Sequence, residues 1–420
     1  MFINKVKNIG LRGIITLLFC VLVSSTVVSL GLSSISLVLV FFVTVLLLGK
    51  NKRLVETRKI DVFFLLFFLI ATLSLFWSSD IATGLKDVEK KLSFLCLPLL
   101  FSSIRQVKID YKIIFKTFVI TVIFFCVIIL LNSLIYVIKN GEPLHWVFTK
   151  YVRFKLVSIS PISFHPPYLA LFLNISATIL VHFYLLKKVE LTNVIALLFF
   201  IAVMLYINGS MMGFGCFAVL ISIFLCYKMK KKTLMIVISV VVSLSLTTYF
   251  IFSKEVRDIV KFDLDPKIDY WETPKYRILR FFDEGDQTRE TNWNISKEVI
   301  AENLWLGTGV GDFVNELQLR RGEDTYSYVN RLNSHNQYLS IAGKTGLLGL
   351  FIFLLILITN LIMAFQYKSY LLTTITIIFI LTFFTENILD RQWGYITFCF
   401  FNYFVYEHIK ITQTQIKAGK

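Results

Sequence analysis

The chain is expected to be an all-α, polytopic membrane protein of about twelve helices, with one large, partly helical loop on the outer side of the bilayer. Three observations lead there. Of 420 residues, 56% are hydrophobic, and they come in runs long enough to cross a bilayer rather than in one-faced stripes. The alternation that lines a β-barrel is missing, and only helices and closed barrels satisfy their backbone in lipid. Lys and Arg gather in every second connection, as they do where loops face the cytoplasm.

Spans are expected near 11–30, 32–48, 60–77, 92–104, 113–138, 167–186, 191–208, 212–227, 233–252, 337–365, 371–386 and 392–407. The first has the length of a signal peptide, but no small-residue cleavage site follows it, and the later spans exclude a soluble secreted product. The fourth is short enough to be a tilted or re-entrant piece. Basic residues crowd "GKNKRLVETRK" (49–59), "RQVKIDYK" (105–112), "KKVE" (187–190) and "YKMKKK" (227–232), and both termini. These segments hold roughly 21 cations against about 8 in the intervening short loops, so both termini are expected in the cytoplasm. The formal charge of +16 is then a topological signal and gives no reason to expect nucleic acid binding.

Three regions follow. Residues 1–252 carry nine spans with short loops and one outer loop near 139–166. Residues 253–336 form the large outer loop, and 337–420 the last three spans with a cytoplasmic tail. Long loops on a rigid helical scaffold are where chemistry is usually placed. The six cysteines, Cys20, Cys96, Cys126, Cys216, Cys226 and Cys399, lie in apolar runs. They suggest small hydrophobes rather than disulfides or a zinc site.

Within the large loop, Lys275, Arg277, Arg280 and Arg289 precede a segment, "NWNISKEVIAENLWLG", with Trp293, Ile300 and Leu304 at helical spacing. Asn292 or Thr291 is a candidate N-cap, which places Arg289 just ahead of the helix. Guanidinium forks suit phosphate oxygens; the plainer alternative is that these cations balance Asp283, Glu284, Asp286 and Glu290. His335 stands where the loop meets a span, and imidazole is the side chain suited to taking a proton from a hydroxyl there. Lys344 lies about 13 Å further along the same helix, either facing the bundle interior or snorkelling out. Gly343, Gly346 and Gly349 around it fit close backbone packing better than catalysis. In the smaller outer loop Arg153 precedes His165, and Pro166 and Pro167 suit a helix start. That pair lines the mouth of a cavity or anchors the interface.

Other motifs carry less. "GTGVGD" follows a helix rather than a strand, so it is no dinucleotide fingerprint. "DLD" (Asp263–Asp265) resembles a metal-binding acidic pair of nucleotide-sugar transferases, but an outer loop has no pool of such sugars. No metal or cofactor is expected.

Taken in order, the motifs resemble those of the O-antigen ligase and polymerase superfamily, bacterial inner-membrane enzymes that act on undecaprenyl-diphosphate-linked glycans. His335-Asn336 is followed by nine residues, Gln337 to Thr345, and then "GLLG" (346–349), a spacing similar to the family's. Arg289 and Trp293 stand four apart ahead of "ENLWLGTGVGDF", with Leu304 where the family often has proline. Arg153 ahead of His165-Pro166 is a third similarity. The family's Ser-Arg pair after the seventh span has no counterpart, since Ser210 is followed by Met211.

The resemblance implies a GT-C-type glycosyltransferase scaffold and a metal-independent, inverting transfer from undecaprenyl diphosphate at the periplasmic face. Its catalytic residues would be His335 and Arg289. Arg153, His165, Arg277, Arg280, Asn336 and Lys344 would bind substrate. The acceptor would be lipid A core for a ligase or a second lipid-linked repeat for a polymerase. A transporter is the competing class, but carriers usually set ionisable residues mid-bilayer and show internal repeats, and neither pattern is present.

Overall fold

The computed structural model describes residues 2–49, 58–105, 107, 109–148, 166–228, 287–323 and 325–418. Among these the regular structure is helical throughout. Among the described residues seven helices are long and apolar enough to cross a membrane: Gly10–Val28, Lys59–Trp77, Tyr111–Lys139, Pro166–Leu185, Leu191–Asn208, Met211–Lys228 and Gln337–Gln366. Two shorter apolar helices, Gly31–Leu46 and Tyr370–Thr385, join them. The chain is thus a multi-pass membrane protein. The expected span at 233–252 lies outside the described residues.

The chain divides into two compact units, Met1–Phe125 with Thr288–Lys420, and Cys126–Gln287. In the first unit α1 (Phe2–Val28) and α2 (Leu30–Gly49) pair. After them come α3 (Lys59–Leu73), a 3-10 turn at Ser74–Trp77, and the short helix α4 (Ile81–Lys90). The helix α5 (Ser93–Ile104), where the short fourth span was expected, has twelve residues and an internal Pro98. Helix α6 (Tyr111–Lys139) runs on into the second unit.

The second unit contains α7 (Pro166–Leu185), α8 (Leu191–Asn208) and α9 (Met211–Lys228), which pack on one another. Pro166 opens α7, where a missing N–H costs nothing. Gly209, left-handed at φ 63°, closes α8. Buried amides knit this group: Asn174 Nδ2 donates to Gly213 O at 3.0 Å, and Asn208 Nδ2 to Pro166 O at 2.9 Å.

The first unit is completed by α10 (Gln287–Glu302), which begins at its border with the second, then α11 (Phe313–Leu319), α12 (Tyr326–Val329), α13 (Gln337–Gln366), α14 (Tyr370–Thr385), a 3-10 turn at Ile388–Asp390, and α15 (Gln392–Ala418). Helix α3 packs on α5 and α13, α13 on α14, α14 on α15, and α15 returns to α5, α2 and α1. Phenylalanine fills the seams. The rings of Phe64 and Phe94 stand 5.1 Å apart, Phe353 and Phe398 5.7 Å, and Phe101 stacks on Tyr403 at 5.5 Å. Lipid tails are as apolar as these rings, so their contribution is close van der Waals fit rather than escape from water.

Four charges that enter this unit form one paired cluster. Arg105 Nη2 donates to both oxygens of Asp61 at 2.8 Å, and its Nε to Glu407 at 2.9 Å. Arg58 Nη1 closes the cluster on Glu407 at 2.7 Å. It ties the start of α3, the end of α5 and the middle of α15, with Asp61 and Glu407 each 2% exposed. An unpaired ion there would be prohibitively costly.

Candidate functional site

Two glycine-rich stretches, far apart in sequence, meet backbone to backbone. Helix α13 is broken at Gly346, where φ is 67° and ψ −173°. The segment after α10 fits into the break. Thr308 N–H donates to Gly343 O at 2.8 Å and Gly309 N–H to Lys344 O at 3.1 Å. In return Leu347 N–H donates to Leu304 O at 2.8 Å. A Cβ on Gly346 would strike the Trp305 carbonyl, and one on Gly307, itself at φ +70°, the backbone of Gly343 to Gly346. The "GTGVGD" and "GKTGLLG" glycines therefore serve close approach. Asp312 then anchors the segment to α4, its carboxylate accepting the N–H groups of Ser79 at 2.6 Å and Asp80 at 2.8 Å.

His335 precedes α13 in the left-handed region, at φ 48°. A residue with a Cβ is uncommon there and needs support from its surroundings. Its N–H donates to Asn333 Oδ1 at 3.0 Å, and Ser334 Oγ donates to Asn336 O at 2.8 Å. Asn336 caps the helix, its Oδ1 accepting from Tyr338 N at 3.0 Å and Leu339 N at 3.1 Å. Its Nδ2 donates to Phe384 O at 3.2 Å.

Glu386, at the C-terminal end of α14, links the two residues expected to be catalytic. Arg289 Nη2 donates to Glu386 Oε1 at 2.8 Å. His335 Nδ1 faces Oε2 at 3.6 Å, too long for a hydrogen bond, and Nδ1 is shielded from solvent without a hydrogen-bond partner. The imidazole side chain keeps 25% of its surface and Arg289 28%. The exposed part of the ring thus lies away from Nδ1.

Helix α10 begins at Gln287, so Arg289 stands in its first turn rather than ahead of it. Asn292, a candidate N-cap, is instead fully buried inside the helix. Its Oδ1 accepts from Arg321 Nη2 at 2.6 Å, while Arg321 Nη1 donates to Leu332 O at 2.6 Å. Arg321 is 7% exposed and has no carboxylate partner among the described residues. It clasps the helix carrying Arg289 to the strand of chain that leads into His335.

Lys344 neither snorkels nor reaches the aqueous rim. Its Nζ donates to Asp87 Oδ1 at 3.0 Å and Asp390 Oδ1 at 3.2 Å, and Lys91 pairs with the other oxygen of Asp87. Burial would raise the Asp390 carboxyl, but Lys344 beside it holds it below its ordinary range. The same contest, won by Lys344 and Lys91, holds Asp87 low. Asn333 Nδ2 donates to Asp390 Oδ2 at 2.8 Å, so this buried ion group reaches the His335 backbone through one amide. Asn336 and Lys344, both expected to touch substrate, thus have their polar atoms engaged inside the protein.

Arg153, His165, Arg277 and Arg280 lie outside the described residues. Sequence reasoning missed Glu386, Asp87, Asp390 and Arg321. A signal existed for the first: Glu386 ends an apolar run whose parity puts that end on the same side as His335. Among the described residues no group of histidines, cysteines and carboxylates is arranged to hold a metal ion.

Residues 194–354 match the family model for O-antigen ligase. The matched stretch holds Arg289, Arg321, His335, Asn336 and Lys344, and stops before Glu386. No curated protein matches the chain.

Proposed function

We propose that this chain, which belongs to the O-antigen ligase superfamily, moves a glycan from undecaprenyl diphosphate to an acceptor hydroxyl, such as one on lipid A core. The site is taken to lie at the periplasmic face of a bacterial inner membrane, on a GT-C-type scaffold. Transfer is metal-independent and inverting. The observation that carries this reading is the Glu386 carboxylate between imidazole and guanidinium.

His335 is the general base. Its Nδ1 faces Glu386, so the opposite nitrogen, Nε2, takes the proton of the acceptor hydroxyl as that oxygen attacks the anomeric carbon. The bond from that carbon to the phosphate oxygen breaks, and undecaprenyl diphosphate departs with the electron pair. The imidazolium formed is met by Glu386, which closes the 3.6 Å gap once the ring is charged. Arg289 stands one carboxylate away, partly open to solvent, and stabilises charge developing on the diphosphate. Arg277, Arg280, Arg153 and His165 add substrate contacts in this proposal on the strength of the sequence alone. Asn336 and Lys344 act from beneath, by holding His335 in its strained conformation.

The test supplies purified protein with undecaprenyl-diphosphate-linked glycan, with and without lipid A core, and separates products on a gel. Product only when lipid A core is present supports the ligase. A lengthening ladder on the lipid carrier without it replaces the ligase with a polymerase. No transfer in either tube, with an active control enzyme, overturns the proposal.

A further inference from the structure

The segment between α10 and α11 was expected to be part of an aqueous loop. Its contacts lie elsewhere. Leu304 is pinned to Leu347, and Thr308 and Gly309 to Gly343 and Lys344, all inside the candidate span Gln337–Gln366. On the other side Val310 N–H donates to Ser74 Oγ at 3.2 Å, within the candidate span Lys59–Trp77. Two separate spans therefore fix its depth. Gly343, Lys344 and Leu347, which hold the segment, flank the break at Gly346 and lie inside the apolar span rather than at its polar start.

The segment's chemistry suits that depth. From Leu304 to Gly311 it reads "LWLGTGVG", with no charge. Non-helical backbone survives at membrane depth only where its polar groups are satisfied by protein. Each N–H from Gly307 to Gly311 has such a partner: Asn303 O, Gly343 O, Lys344 O, Ser74 Oγ and Ser78 Oγ in turn. The side chains at the tip do the opposite and point outward. Leu304 is 40% exposed, Trp305 71% and Leu306 52%. Leu348 and Phe351, just beyond the Leu347 that bonds Leu304, are likewise exposed on the span itself.

We infer that Leu304–Gly311 is a re-entrant loop whose Leu-Trp-Leu tip is seated in the lipid bilayer. Its partner is lipid acyl chain, continuous with the lipid-facing surface of α13. Tryptophan at the tip suits the boundary between headgroups and hydrocarbon. The loop thereby fixes the end of α10, and with it Arg289, relative to the bilayer surface.

The experiment is independent of activity. Wild type and Trp305→Phe are reconstituted in nanodiscs of phosphatidylcholine, with or without bromine on the acyl chains, and the difference in emission isolates Trp305. The expected result is strong quenching by brominated lipid and little by aqueous iodide. Quenching by iodide and not by brominated lipid would overturn the inference. Should Trp305→Phe fail to insert, Leu306→Cys and Glu302→Cys are compared in open membranes with a membrane-impermeant maleimide. Labelling of Leu306→Cys at least about tenfold slower than of Glu302→Cys, restored by detergent, is expected for a tip shielded by lipid; equal rates would overturn it.

Discussion

Arg289 and His335 stand at opposite oxygens of one carboxylate, Arg289 Nη2 2.8 Å from Glu386 Oε1 and His335 Nδ1 3.6 Å from Oε2. They come from α10 and from the turn before α13, and Glu386 comes from the end of α14. One residue thus sets the distance between the proposed base and the proposed anion partner. A carboxylate there stabilises an imidazolium and leaves a neutral imidazole unchanged, so it acts mainly in the transition state.

Glu386→Gln keeps an oxygen for Arg289 and removes the charge facing His335. Turnover is expected to fall about 10- to 100-fold, with a much smaller change in KM for the lipid-linked donor. Steady-state kinetics on folded, inserted protein check this. An unchanged kcat with a raised KM would assign Glu386 to binding instead.

Arg289→Lys keeps the charge and loses the planar fork that holds Glu386 and, in the proposed mechanism, a phosphate oxygen as well. It is expected to lose at least about tenfold in transfer rate, more than a charge-conserving exchange at an exposed site. Wild-type rate would remove Arg289 from the diphosphate role.

Lys344→Met leaves Asp390 without its cation and Asp87 with Lys91 alone. Removing one partner of a buried ion pair costs about 3–5 kcal/mol, so thermal unfolding in detergent should shift down clearly. Adding Asp390→Asn removes the orphaned charge and should recover part of that loss. If the double variant is less stable than wild type by the sum of the two single-variant losses, the two residues are not coupled.

The same carboxylates give stability a pH dependence. Asp87 and Asp390 are held below the ordinary range in the folded chain, whereas unfolded they titrate near 4. As pH falls the unfolded chain takes up protons first. The contribution is therefore full above about pH 4 and is lost below it. The stability gap between wild type and Asp390→Asn should narrow as pH drops below about 4, as followed by thermal unfolding. A gap independent of pH would contradict the assignment.

The membrane class was legible because runs of apolar residues need no partner to be recognised. The order Arg289, glycine segment, His335, Asn336, Lys344 was legible too, since spacing survives in one dimension. What the glycines do was only half legible. Close packing could be expected of Gly343 and Gly346, but not that their carbonyl and amide neighbours bond to Thr308, Gly309 and Leu304. The start of α10 was misplaced because Asn292 has the composition of a cap, and only the fold shows it buried beneath Arg321. Glu386 and Asp390 were missed for a different reason. They lie about 50 residues beyond His335, and a lone carboxylate at the end of a span has no pattern until α13 and α14 are side by side.

The most direct measurement is single-turnover glycan transfer by wild type and His335→Ala, each shown to be inserted and to unfold at a similar temperature. The account predicts a loss of about 10²-fold or more in the chemical step with donor binding retained, as for removal of a general base. Transfer by His335→Ala at the wild-type rate would contradict it.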